Sequence, residues 1–177
     1  CTPDAKNDRG SNAGEGGRTP TVTLTSGKTD LSIDAGVIRP AAVGDYVWDD
    51  QNADGISQGR GAGVPGVLVE LFRADGTAAG SSSTDATGHY LFTGLVPGDY
   101  YLIFHAPEGY SFSPKDRGPD DSADSDANAG GKTDVFSLAS GANDMARDAA
   151  INLKVALGDY VWNDLNANGI QDAGEPG

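Results

Sequence analysis

The chain has 177 residues, 12 basic and 26 acidic, and its formal net charge of −14 makes nucleic acid and anionic membrane poor partners. Of the acids, 22 are Asp and only four Glu, a bias toward loops and cation ligands, while 26 Gly and 9 Pro punctuate the chain too often for long helices. A single cysteine rules out an intrachain disulfide, and no apolar run approaches the ~18 residues needed to span a bilayer.

From the N-terminus, Cys1 invites a reading as the lipid-bearing residue of a lipoprotein, which is set aside because homologous sequence is expected upstream. Val22 and Leu24 alternate as in a short strand, and Asp30 and Asp34 share a strand face, either to help bind a junction cation or as ordinary surface carboxylates. After the strand Val43-Gly44-Asp45-Tyr46-Val47-Trp48 comes a loop in which Asp50, Asn52, Asp54 and the carbonyl of Ile56 surround a glycine turn in the manner of a calcium site. Gln58 and Gly61 stand where further carboxylates would complete it, and the same residue types also make Asx turns without metal.

Val67, Val69 and Leu71 alternate next, then Tyr90 and Phe92, then Tyr100, Leu102 and Phe104, with turn signals at Asp75-Gly76, Thr87-Gly88, Pro97-Gly98 and Glu108-Gly109. Leu68, Phe72, Leu91, Tyr101 and Ile103 fall in the opposite alternation, apolar where water is expected. If their strands share a sheet, that face is a surface for self-association, the alternatives being scattered exposed apolars or cover from a loop. His89 and His105 sit in a turn and at a strand end without a nucleophile motif, so no catalysis is expected.

Asp120, Asp121, Asp124 and Asp126 place four carboxylates in seven residues, which implies a bound cation if the loop is ordered and a solvated acidic loop if it is not. Phe136 and Leu138 form another alternation, followed by Asp144 and Asp148, spaced like Asp30 and Asp34. The final segment carries the sharpest motif. Asp164, Asn166, Asn168, the carbonyl of Ile170, Asp172 and Glu175 fill the positions of a twelve-residue calcium loop around Gly169, with a strand leading in where an EF-hand has a helix.

Residues 44–56 and 158–170 match at an offset of 114, and the match runs back without a gap to Gly16 and Gly130. Before Gly16 it is aligned with a two-residue shift, Asn12-Ala13-Gly14 on Asn128-Ala129-Gly130. The predicted organisation is the end of one repeat (1–41), a complete repeat (42–154) and the start of a third (155–177). About seven short strands per unit predict an all-β sandwich.

The succession Gly-Asp-Tyr-Val-Trp, Asp-x-Asn-x-Asp-Gly-Ile, Pro65-Gly66-Val67, Thr87-Gly88-His89-Tyr90, Leu95-Val96-Pro97-Gly98-Asp99-Tyr100 and Ala106-Pro107-Glu108-Gly109-Tyr110 resembles the B domains of serine-aspartate-repeat surface adhesins, the SdrD B-like branch of the Cna-B family. The resemblance implies a Greek-key, transthyretin/immunoglobulin-like β-sandwich repeated in tandem. It further implies a calcium-stiffened stalk, filament or matrix element of an extracellular protein, with Ca2+ and the neighbouring repeats as partners. Some Cna-B domains cross-link Lys to Asn or Asp beside a catalytic Glu; here Phe104 stands at that position, so no isopeptide is expected. The other functional readings are an adhesin module that binds a protein or glycan, and an accessory domain of a secreted enzyme.

Overall fold

The computed structural model describes residues 12–58, 61–155, 158 and 161–177; the expectations for Cys1, Pro3 to Arg9, Leu157, Asp159 and Tyr160 lie outside the described residues. Nine strands form among the described residues: β1 (Ala41–Asp49), β2 (Leu68–Arg73), β3 (Ala78–Ser83), β4 (His89–Leu95), β5 (Gly98–His105), β6 (Tyr110–Phe112), β7 (Phe136–Leu138), β8 (Asn143–Asp144) and β9 (Ala149–Leu153). No helix among them is long and apolar enough to cross a membrane.

The strands make two sheets. One runs β4-β1-β9-β6 with β8 beside β1, and the other runs β3-β2-β5-β7. β1 is antiparallel to β4 and parallel to β8 and β9, while all neighbours in the second sheet are antiparallel. Period-2 alternation turns Val43 and Val47 of the first sheet toward Val67, Val69, Leu71, Tyr100, Leu102 and Phe104 of the second, and together with Ile151 they form one buried core. Burying each aliphatic or aromatic side chain contributes about 1.5–3 kcal/mol. Phe104 packs here, its ring edge-on to Tyr90 at 5.5 Å.

β1 is covered on its other face too. Tyr46 and Trp48 stack at 6.4 Å between centroids and close a small second cluster with Ala150. The 61–64 segment lies against them: Asp49 N–H donates to Ala62 O at 2.9 Å, Val64 N–H to Val47 O at 2.9 Å, and the Tyr46 hydroxyl to Gly61 O. Gly63 permits this approach, since a Cβ there would stand 1.9 Å from the Thr87 carbonyl oxygen.

The five residues of the expected self-association face do not share a sheet: Leu91 lies on β4, whereas Leu68, Phe72, Tyr101 and Ile103 lie on β2 and β5. On that second sheet Phe72 stacks on Tyr101 at 5.3 Å, Lys132 Nζ sits 3.9 Å above the Tyr101 ring, and Glu70 meets His105 at 2.8 Å. The apolar groups are therefore interleaved with charged ones.

Residues 18–40, Val22 and Leu24 included, form no strand, yet parts of the segment repeat the local contacts of the complete unit. Asn12 N–H donates to Asp34 O and Asp34 N–H to Asn12 Oδ1, both at 2.8 Å, as Asp126 and Asp148 do with each other at 3.0 and 2.8 Å. Gly14 N–H donates to Arg18 O as Asn128 N–H does to Lys132 O, both at 3.0 Å. Asn12 is thus the counterpart of Asp126 and Gly14 of Asn128. At Asn12 and Gly14 the offset of 114 therefore holds without the two-residue shift, because the backbone turn and not the Asn-Ala-Gly letters sets the correspondence.

Candidate functional site

The loop after β1 is built by its own oxygens. Asp50 Oδ2 accepts from Gly55 N–H and Asp54 Oδ1 from Ile56 N–H, both at 2.8 Å, while Asp54 Oδ2 takes Asn52 Nδ2 at 2.8 Å and Gln58 Nε2 at 2.7 Å. Ala53 (φ 55) and Gly55 (φ 80) take left-handed conformations that fold the loop back so that its N–H groups meet these oxygens. A shallow cavity of about 360 Å3 opens beside it, lined by Trp48, Asp50, Asn52, Ile56 and Gln58 among others.

The second acidic cluster packs on this loop, as the sequence alone could not show. Ser57 N–H donates to Ala123 O at 2.7 Å and Ser125 N–H to Gly55 O at 3.0 Å, bridging Ile56 to Asp124. Asp50 and Asp124 are both buried. Asp124 accepts from Gly118 N–H at 2.7 Å, and burial raises its carboxyl above the ordinary value. Asp120 is solvent-exposed and caps Ser122, whose hydroxyl and N–H lower it.

Repulsion within this cluster is met in part by a side chain that the sequence reading passed over. Arg147 places Nη1 2.7 Å from Asp126, Nη2 3.3 Å from Asp121 and Nε 3.1 Å from Asp144. Asp144 therefore turns to the guanidinium, and Asp148 turns inward. These two do not form the common strand face expected of them, because 145–148 lie between β8 and β9.

Asp45, Asp126 and Asp148 are 6%, 4% and 3% exposed, and burial together with their charges raises the Tyr90 phenol, whose hydroxyl donates to Arg147 O at 2.5 Å. Asp148 Oδ1 accepts from Tyr46 N–H at 3.2 Å, and Asp126 Oδ2 accepts from Asp148 N–H at 2.8 Å. Burial raises Asp126 to about 7 against the partial relief from Arg147; burial and the charge of Asp45 push Asp148 up as well. Asp45 was missed, although a carboxylate in register with Val43 and Val47 on one strand is a legible sign of a buried acid.

The final loop repeats the first. Gly169 N–H donates to Asp164 Oδ2 at 2.8 Å and Ile170 N–H to Asn168 Oδ1 at 2.7 Å, with Ala167 at φ 56 and Gly169 at φ 73. Asp172 accepts from Asn166 and Asn168 at 2.7 and 2.8 Å, and Glu175 spans the loop to Leu165 N–H at 3.0 Å and Asp172 N–H at 2.9 Å. Those bonds lower Asp164 and Asp172. Among the described residues no three acidic, His or Cys side chains stand together as a metal site. The donor set suits a hard cation only with amide and carbonyl oxygens included, and both loops carry these.

Similar sequences come from staphylococcal serine-aspartate repeat-containing proteins. Serine-aspartate repeat-containing protein F of Staphylococcus epidermidis is 36% identical over 99% of this chain and 10% of its own length. Protein E of Staphylococcus aureus (strain USA300) is 38% identical over 91% of this chain and 14% of its own, and protein D (strain Newman) 38% over 88% and 12%. The chain thus spans roughly a tenth of the curated relatives it matches. Among solved structures, the minor pilin GBS52 of Streptococcus agalactiae superposes with a TM-score of 0.47 at 15% identity, over 75% of this chain and 55% of that one, a likeness too loose to argue from. The family model of the SdrD B-like domain matches residues 41–151, from the first residue of β1 into β9, and the chain belongs to this family of extracellular structural repeats.

Proposed function

We propose that the chain is a length of calcium-stabilised stalk, in which tandem sandwiches hold a more distal part of the protein away from the surface and do no chemistry themselves. The observation that carries this reading is the duplicated loop: Asp50 and Asp164 close the same turn onto Gly55 and Gly169 at 2.8 Å, and Asp54 and Asn168 each accept from the N–H two residues on, at Ile56 and Ile170. Asp50, Asn52, Asp54 and the Ile56 carbonyl would hold an ion in the first loop, helped by the adjoining Asp124. Asp164, Asn166, Asn168, the Ile170 carbonyl, Asp172 and Glu175 would hold one in the last. Asp120, Asp121 and Asp126 are further candidates, the last two in competition with Arg147 for the same oxygens.

Bound calcium neutralises crowded carboxylates in a chain of charge −14. An ion that binds only the folded loops adds about 2.7 kcal/mol at a hundredfold excess over its Kd. Elemental analysis after gel filtration, paired with thermal melts in excess Ca2+ and in chelator, tests the reading. Two or more ions per chain and a Tm several degrees lower in chelator are expected; no bound metal and superimposable melts would reduce the loops to Asx turns.

A further inference from the structure

The offset of 114 makes Arg39 the counterpart of Leu153, the last residue of β9, and Ala41 the counterpart of Val155. By that correspondence a single residue, Pro40 or Lys154, lies between the position that ends one unit and the position that opens the next, β1 being the strand formed at the first joint and β9 the one formed at the second. Arg39 is held by the unit it precedes. Its N–H donates to Ser140 Oγ at 2.8 Å, and its carbonyl accepts from Gly141 N–H at 3.0 Å. The stem of its side chain covers the turn so closely that a Cβ on Gly141 would meet Arg39 Cβ at 3.3 Å.

The turn that does the holding is closed by Ala142 N–H on Ala139 O at 3.0 Å, with Gly141 at φ 75. Its earlier copy is built alike, with Lys28 N–H on Thr25 O at 3.1 Å and Gly27 at φ 76. At the far end of the unit, Lys154 N–H donates to Gly109 O at 2.8 Å and Ser113 N–H to Ala150 O at 3.0 Å, which sets the hydrogen-bonding rhythm of the β6–β9 ladder. Leu153, opposite Tyr110, falls in the intervening non-hydrogen-bonded pair, so its N–H and C=O point away from β6.

We propose that successive units are clamped through a shared strand end: the N–H and C=O of the last β9 residue are taken by the Ser-Gly turn of the following unit. The partner of the Ser140-Gly141 surface is thus the preceding repeat of the same chain. The proposal deepens the stalk reading and rests on it. It assigns rigidity to two hydrogen bonds per joint, one to the serine hydroxyl and one between main chains, separately from any metal. The two joints differ in one respect, because Pro40 has no N–H to make the bond that Lys154 makes to Gly109.

The test lengthens this chain in register by one unit, residues 1–154 followed by 41–177, so that Leu153 meets the Ser140-Gly141 turn of the added copy. Hydrogen exchange at the Leu153 and Gly141 amides is read together with small-angle scattering. Both amides should be protected and the two units should scatter as an extended body. Ser140→Ala in the second copy should speed Leu153 exchange by about tenfold, the loss of one hydrogen bond, and Gly141→Ala, which opposes the left-handed turn and crowds the strand end, should broaden the distribution of overall lengths. A Leu153 amide that exchanges at the random-coil rate in the unsubstituted chain, or an extended body indifferent to both substitutions, overturns the clamp. Calcium-dependent melting that survives either result shows that the clamp alone has failed.

Discussion

Arg147 supplies the positive charge around which three carboxylates of different provenance gather: Asp121 and Asp126 from the acidic loop and Asp144 from its own segment. Removing one partner of a largely buried pair leaves the others uncompensated, and Arg147→Ala should cost about 3 kcal/mol, readable as a lower denaturant midpoint. Calcium should restore part of that loss if the same oxygens take the ion. The buried acids set a pH dependence of definite sign. Asp126 stands at about 7 in the folded chain against an ordinary value of 3.8, and Asp148 is raised in the same direction, burial being the first cause of both. The folded chain therefore keeps protons that the unfolded chain releases. In chelator, stability should be greatest near the unfolded values and fall as pH climbs from about 4 through 7. Calcium, which needs ionised carboxylates, should flatten or reverse that fall. A Tm that in chelator rises steadily from pH 5 to pH 8 would refute the assignment. The sequence showed the acids and their crowding, but not which were buried, because burial depends on neighbours over a hundred residues away, as between Tyr46 and Asp148.

Among the strands, those whose apolar residues alternate were legible: β2, β4 and β5 appear where Val67 to Leu71, Tyr90 to Phe92 and Tyr100 to Phe104 predicted them. β3, Ala-Ala-Gly-Ser-Ser-Ser, carries no periodic signal and exists because β2 offers it a partner across the Asp75-Gly76 turn. The reverse failure is Val22 and Leu24. Their counterparts Phe136 and Leu138 form β7 because β5 pairs with them, whereas no strand among the described residues pairs with 22–24. Turns behave differently, since the Asn12–Asp34 pairing and the 25–28 turn reproduce their counterparts without a core beneath them. Turn chemistry is local, and strands require company. The contact most sensitive to one added methyl is Gly63 against Thr87 O at 1.9 Å. Gly63→Ala should lift the 61–64 segment from Tyr46 and Trp48 and cost about 1–3 kcal/mol, seen as a lower Tm and a red-shifted Trp48 emission.

Across the length of the protein, the repeat was the most legible feature, because an offset of 114 is preserved in letters as well as in hydrogen bonds. What it left unread was how the chain enters and leaves a unit. β1 begins at Ala41 and β9 ends at Leu153, and these two strands lie side by side and parallel, Val47 opposite Ala149 and Asp49 opposite Ile151. Tension applied through the two ends of a unit therefore draws β1 and β9 in opposite directions along their common axis. The hydrogen bonds between them are loaded together in shear, instead of being opened one at a time as in a peeled hairpin. A unit pulled from Ala41 and Leu153 in a single-molecule instrument should resist much higher forces than the same unit pulled from Asp75 and Leu153, a geometry that peels β2 and β3 first. Equal rupture forces in the two directions would show that the parallel pair is not the mechanical lock.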